Sequence, residues 1–427
     1  MFGSKPLRNG PAETSVQDRP KVLVLFGTRP EAIKLAPVIH ELRRRGFDPL
    51  VVSSSQHTTI LEPFLKTLDI QVDHDLRVMK PDQDPNQVIA RITAKLDKII
   101  AAYEPDLIIV QGDTSTALTG AICGFNRKVA VAHVEAGLRS GDLASPFPEE
   151  MNRRLISQIS TFHFAPTEKN RLNLRAEGVP YDRIFVTGNT VVDSLHKILI
   201  DLKPDKRVLE LIKSSEGKRR ILLTTHRRES FGPKLEKNLK TIGDFVSRHD
   251  DLVVYFPVHP NPNVRKTAAE LLGGHERVHL LPPLDYPDFL GLMRSAWLII
   301  SDSGGVQEEA PTLGKPLLVL RENTERPEAI QAGVARLAGD SLERILEQTY
   351  AVNTWADSVT HRTNPFGDGR SARRIVQIIE ERLAGKKGAP TGCIEEHASS
   401  IPHELSKPKV ATAPASPQTP THTTISR

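Results

Sequence analysis

Carboxylates stand at the ends of two apolar runs in the first half of this chain, and a third follows in a proline-rich turn. Asp113 ends DLIIVQGD, Glu135 lies in HVEAGLR, and Glu149 stands beside Glu150 in SPFPEEMNR. A single carboxylate at a turn is usually a cap. Several at the rim of one cleft suit general acid–base work, which needs a donor and an acceptor with separated proton affinities.

Two further stretches suit an anion. In GTRPEAIK, Gly27 ends an apolar run, Pro30 fits the first turn of a helix, and Arg29 and Lys34 stand around the helix start. Free N–H groups and the helix dipole favour a diphosphate there. The residues alone leave that reading open beside a plain strand-to-helix turn carrying surface cations. In SDSGGVQEE, Ser303, Gly304 and Gly305 let backbone amides wrap phosphate oxygens, and no core requirement explains them. Glu309, one turn into the helix, could accept ribose hydroxyls.

His226 leads Arg227 and Arg228 at the end of another apolar run, where a phosphate could reach all three. His259 in PVHP sits at a similar place with weaker support. The chain has no HExxH, GxSxG or GxxxxGK[ST], which sets aside zinc protease, serine hydrolase and P-loop chemistry. The first glycine turn is not GxGxxG, so no nicotinamide cofactor is expected.

The elements that must position these residues follow from periodicity. KVLVLFG, PLVVSSS, DLIIVQGD and KVAVAHVEA read as buried strands. Pro30 through Arg45 and NQVIARITAKLDKIIAAY have helical spacing. The alternation restarts with RRILLTTHR, DLVVYFPVHP, RVHLLPP, WLIISDSGG and PLLVLRE. The expectation is α/β: two doubly wound, Rossmann-like halves with a cleft between them and the chemistry beyond the strands' carboxyl ends. The boundary is placed near Thr190. Residues 1–20 and 386–427 are polar and rich in Pro, Thr or Ser, and are expected to be disordered.

Composition narrows the function classes. A length of 427 residues suits two domains. The net charge of +5, from 57 basic and 52 acidic side chains, is too mild to argue for nucleic acid. Two distant cysteines, Cys123 and Cys393, build neither a disulfide framework nor a metal site. No signal-like or membrane-spanning apolar run is present, and a reducing cytoplasm is the expected setting.

Six separated motifs occur in order: KVLVLFGTRPEAIKLAPVI, QGDTSTA, HVEAGLR, PFPEEMNR, THRRESFG and SDSGGVQEEAPTLGKPLLVLRENTERPE. Together they resemble the non-hydrolysing UDP-N-acetylglucosamine 2-epimerases over about residues 21–385. The resemblance implies a glycosyltransferase-B-like fold with a C-terminal helix at 370–385 crossing back to domain 21–190, and a second domain at 191–369. It implies a homodimer, no cofactor, and conversion of UDP-GlcNAc to UDP-ManNAc, usually for cell-surface polysaccharide. By resemblance, Asp113, Glu135 and Glu149 are the catalytic carboxylates, with His226 at the phosphates. Arg29 and Lys34 are the cations near the diphosphate. Ser303, Gly304 and Gly305 form its binding turn, Glu309 contacts the ribose, and Phe289 lies beside the uracil. Relatives often bind a second UDP-GlcNAc as activator, for which Gln56, His57 and His259 are the candidates. Thr58, Thr59 and Asp82 depart from the pattern expected of that site.

Overall fold

A computed structural model describes residues 19–55, 64–80, 83–225 and 232–384. The expectations for His226, Gln56, His57 and both chain ends beyond those limits lie outside the described residues.

Short β-branched runs form two parallel sheets. The first holds β1 (Val22–Phe26), β2 (Leu50–Ser53), β3 (His74–Asp75), β4 (Leu107–Gln111), β5 (Ala130–Val134), β6 (Phe162–Ala165) and β7 (Ile184–Val186). Its order is β3-β2-β1-β4-β5-β6-β7. The second holds β8 (Arg219–Thr224), β9 (Leu252–Pro257), β10 (Val278–Leu281), β11 (Leu298–Ser301), β12 (Leu317–Val319) and β13 (Ala335–Leu337). Its order is β10-β9-β8-β11-β12-β13. This is the two-domain α/β fold expected from the alternation. All nine expected strands are present. The strands β3, β6, β7 and β13 are additional: each has only two to four residues, too few to establish a period.

Helices cover both faces, which is why β1, β4 and β5 are apolar or fully buried at every position. The helix Pro85–Tyr103 shows how. Asp84 caps it by accepting from Gln87 N, and Val88, Ile92, Leu96 and Ile100 form one buried stripe. Each such side chain contributes about 1.5–3 kcal/mol on burial.

Both sheets reverse strand order at one place, between β1 and β4 and between β8 and β11. Open α/β sheets bind ligands at that switch point. The loops after β1, β4, β8 and β11 carry Gly27, Asp113, Thr225 and Ser303. Near the chain's end, the helix Ser371–Ala384 packs against helices Arg29–Arg44 and Thr190–Ile200. Asp193 accepts from the backbone N–H groups of Ala372 at 2.9 Å and Ser371 at 3.2 Å, and Arg45 pairs with Glu380 at 2.7 Å.

Candidate active site

The first loop is a close-packed turn. A Cβ on Gly27 would come within 2.2 Å of Ser54 Oγ and 2.4 Å of Thr116 Oγ1. Thr28 N and Gly27 N donate to Glu31 Oε2 at 2.7 and 3.0 Å, and Thr114 Oγ1 donates to Glu31 Oε1 at 2.7 Å. Glu31 thereby ties the loop after β1 to the loop after β4, beside Asp113. Burial raises its carboxyl to about 7 against these hydrogen bonds.

Arg29 and Lys34 diverge from there. Five residues apart, they project about 140° apart around the helix axis. Arg29 lies over the rings of Phe64 and Tyr286, 4.8 and 4.9 Å from their centroids, and the two rings meet edge to face 5.4 Å apart. The Tyr286 hydroxyl donates to Glu309 Oε1 at 2.8 Å, so Arg29, Tyr286 and Glu309 form one group. Phe289 lies on the same helix as Tyr286 and is partly buried against the core.

Lys34 is buried between carboxylates of both domains. Its ammonium donates to Glu135 Oε2 and pairs with Glu308 Oε2 at 2.8 Å. Glu135 also accepts from Asn189 Nδ2 at 3.1 Å. Its backbone has a φ of 66°, the left-handed region where a non-glycine residue is uncommon. Glu308 accepts from Arg326 Nε at 2.6 Å, Arg326 donates to Glu325 Oε1 at 2.5 Å, and Arg321 to Glu325 Oε2 at 2.7 Å. Three cations and three carboxylates therefore balance out of water, as buried charges must.

Asp113 belongs to a second group, with Asn152, Arg153 and Glu150. Asp113 Oδ2 accepts from Arg153 Nε at 2.8 Å, and the Asp113 carbonyl accepts from Asn152 Nδ2 at 2.7 Å. Arg153 also donates to Glu150 Oε2 at 2.6 Å. Glu149 opens the helix Glu149–Ile159 that carries Glu150, Asn152 and Arg153, and is half-buried. His133 Nε2 lies 2.7 Å from the Gly112 carbonyl, holding the Asp113 loop from below; burial pushes this imidazole down to about 3, so it is neutral.

On the opposite wall, Ser303 leads into the helix Gly304–Thr312, whose N-terminus has no side-chain cap bond from Ser303. Gly304 lies against the Arg326 guanidinium: a Cβ there would sit 2.7 Å from Nη1. Below the turn, Thr225 Oγ1 donates to the buried Asp302 Oδ2 at 2.8 Å. His259 is half-buried and accepts from Asn261 N at 3.2 Å, in the loop after β9.

The structure thus gathers Lys34 and Glu135 at one point and Arg29 and Glu309 at another, while Asp113 is held by Arg153 on the helix that Glu149 opens. Sequence reasoning did not single out Glu31, Tyr286, Glu308, Arg153 or Arg326. The EE doublet at Glu308-Glu309 and the ERPE stretch that holds Arg326 were the available signals. Among the described residues, no group of three or more His, Cys, Asp or Glu is placed to hold a metal ion, and no helix is long and apolar enough to cross a membrane.

The chain has known relatives. The sequence profile of the UDP-N-acetylglucosamine 2-epimerase family matches residues 40–380. A probable UDP-N-acetylglucosamine 2-epimerase of Ralstonia solanacearum is 44% identical over 373 residues, covering 85% of this chain and 100% of that protein. The UDP-N-acetylglucosamine 2-epimerase of Escherichia coli K12 is 43% identical over 369 residues, covering 84% and 98%. The crystal structure of the Neisseria meningitidis UDP-GlcNAc 2-epimerase bound to UDP-GlcNAc superposes with a TM-score of 0.79 at 39% identity, covering 84% of this chain and 100% of that one. The chain belongs to the UDP-N-acetylglucosamine 2-epimerase family.

Proposed function

We propose that this chain reversibly epimerises UDP-N-acetylglucosamine at C2 to UDP-N-acetylmannosamine without hydrolysing it. The observation that carries the reading is the pairing, across one cleft, of the uncapped Ser303-Gly304-Gly305 turn with the buried Lys34–Glu135 pair. One side can hold a departing diphosphate and the other can handle a proton.

The C2 proton of an N-acetyl sugar has no neighbouring ketone to acidify it. Loss of UDP from C1 creates oxocarbenium character that does. In the proposed path the C1–O bond breaks with its electron pair leaving on UDP, and a carboxylate takes the C2 proton. This anti elimination leaves 2-acetamidoglucal. A proton then returns to the opposite face of C2, and the UDP oxygen rebonds to C1.

Ser303, Gly304 and Gly305 take the diphosphate on free helix N–H groups, with positive charge from Arg29 and Lys34. Glu309 takes the ribose hydroxyls, and Phe289 flanks the uracil. Asp113, Glu135 and Glu149 supply acid and base around C2. On this reading residues 21–190 with helix 370–385 form one domain and 191–369 the other, and their closure keeps water from the glycal. A cytoplasmic homodimer supplying cell-surface polysaccharide synthesis completes the reading.

The test is proton NMR of the purified chain with UDP-GlcNAc in deuterated water. UDP-ManNAc carrying deuterium at C2 is the expected product. Free ManNAc would instead mark a hydrolysing enzyme, and unchanged substrate would end the proposal.

A further inference from the structure

Glu308 has no part in the chemistry above, yet its carboxylate stands at the centre of the buried charges. It is 1% exposed, and it joins the two domains through Lys34. Lys34 and Glu135 come from the first sheet's side of the cleft, Glu308 and Arg326 from the second's. The contacts form one line, Glu135, Lys34, Glu308 and Arg326, and the Arg326 guanidinium lies where a Cβ on Gly304 of the phosphate-binding turn would be.

A carboxylate paired alone with a buried ammonium is held ionised, because giving it a proton strands the ammonium without a counter-ion. Such a group takes up a proton poorly. Here the ammonium has a second carboxylate. When Glu135 gains a proton, Lys34 keeps Glu308 as its partner, and Glu308 keeps Arg326. The arrangement tolerates both protonation states of Glu135.

We infer that Glu308 is a positioning residue that sets the proton affinity of Glu135 by sharing Lys34 with it across the closed cleft. This deepens the epimerase reading and rests on Glu135 acting as acid or base there. Among the described residues, the charged groups facing Glu135 are Lys34 from helix Arg29–Arg44, Glu308 from helix Gly304–Thr312, and Arg326 at the head of helix Pro327–Gln331. Asn189 adds a neutral donor. Burial first, then the Glu308 charge, hold Glu135 above the usual carboxylate range, against Lys34 and Arg326. Glu308 is held below that range by Arg326 and Lys34, against its own burial. Because Glu308 and Arg326 reach Lys34 from the other domain, this tuning exists only with the domains closed as here.

The test titrates Glu135 directly in the full chain. Carboxyl-13C-labelled glutamate is followed by NMR against pH, with the Glu135 signal assigned by its loss in Glu135→Gln. In Glu308→Gln the Glu135 midpoint should fall by about one pH unit or more, roughly a tenfold loss of proton affinity. The limb of the kcat–pH profile that reports Glu135 should move the same way. Glu308→Asp, which keeps the charge but draws it back by one methylene, should lower the midpoint by a smaller step than Glu308→Gln. A midpoint that stays in place or rises, with turnover merely reduced, overturns the inference and leaves Glu308 a structural residue. A midpoint that falls while neither kcat limb moves supports the tuning and instead overturns the role of Glu135 in the epimerase reading. Should Glu308→Gln fail to fold by circular dichroism, Glu308→Asp carries the test alone: withdrawing the charge by one methylene should lower the midpoint by a smaller step, and an unmoved midpoint again overturns the inference.

Discussion

The loop after β4 and the loop after β11 occupy corresponding places in their sheets, with the loop after β5 next to the first, yet the two walls are built on opposite principles. In the first sheet the chain turns through left-handed backbone, with φ of 71° at Gly112 and 66° at Glu135, and projects a carboxylate at each turn. In the second sheet the chain runs straight into a helix through Ser303, at a φ of −73°, and offers small residues and bare amides. Moving a proton requires a side chain with a tuned affinity, so the first wall accepts an unfavourable φ at Glu135 to aim one. Holding a diphosphate requires N–H groups and room, so the second wall removes side chains.

If that division holds, turnover and UDP binding should separate by mutation. The largest effect is expected at Glu135. Glu135→Gln keeps the shape and removes the proton-handling group, so turnover should fall by roughly 10²–10⁴-fold. The UDP dissociation constant, measured by calorimetry, should stay within about threefold, because the phosphate turn lies on the other wall. A collapse of UDP affinity along with turnover would break the comparison, showing that the Lys34 cluster shapes both walls.

The converse change is Gly304→Ala. Its Cβ would meet Arg326 Nη1 at 2.7 Å, and that guanidinium is pinned by Glu308 and Glu325. Either the turn or the guanidinium must move. UDP affinity should fall about tenfold, about 1.4 kcal/mol. The loss of turnover at saturating substrate should be much smaller than for Glu135→Gln. Unchanged UDP affinity would show that the diphosphate does not use this turn.

These two walls were not equally legible in the sequence. The strands that end at them are four- to six-residue apolar runs, and the Ser-Gly-Gly turn is contiguous, so local pattern located both. The buried cluster is assembled from positions 34, 135, 189, 308 and 326, and no local pattern records that Lys34 meets Glu308. Helical spacing put Arg29 and Lys34 near one helix end, but their angular separation sends one to Tyr286 and the other to Glu135. The strand FHFA was hidden by brevity and by His163, which is buried because its Nε2 meets the Ser157 carbonyl at 2.9 Å. Another buried histidine of the first sheet, His133, likewise has a carbonyl to bind, and its partner comes from β4's loop rather than from its own neighbours.

The smallest effect should come from a charged group that serves neither wall. Glu41 accepts from Arg45 Nε at 2.8 Å, and Arg45 in turn reaches Glu380 on the C-terminal helix. Hydrogen bonds from Arg44 foremost, and from Arg45, hold the Glu41 carboxyl down at about 2, against partial burial. The folded value lies below the ordinary value of 4.5, so the stabilisation is complete above about pH 4.5 and is lost as pH falls toward 2. Arg44 is largely exposed, so solvent screening leaves only a small part of it. Glu41→Gln should therefore lower the melting temperature by about 2 °C at pH 7. The gap between wild type and variant should narrow as pH is lowered, while turnover and UDP affinity at pH 7 stay at wild-type values. A gap that persists undiminished toward pH 2 would show that Glu41 acts through packing rather than charge. A change in UDP affinity would show that the docking of helix Ser371–Ala384 on helices Arg29–Arg44 and Thr190–Ile200 reaches the cleft, so that neither wall is independent of it.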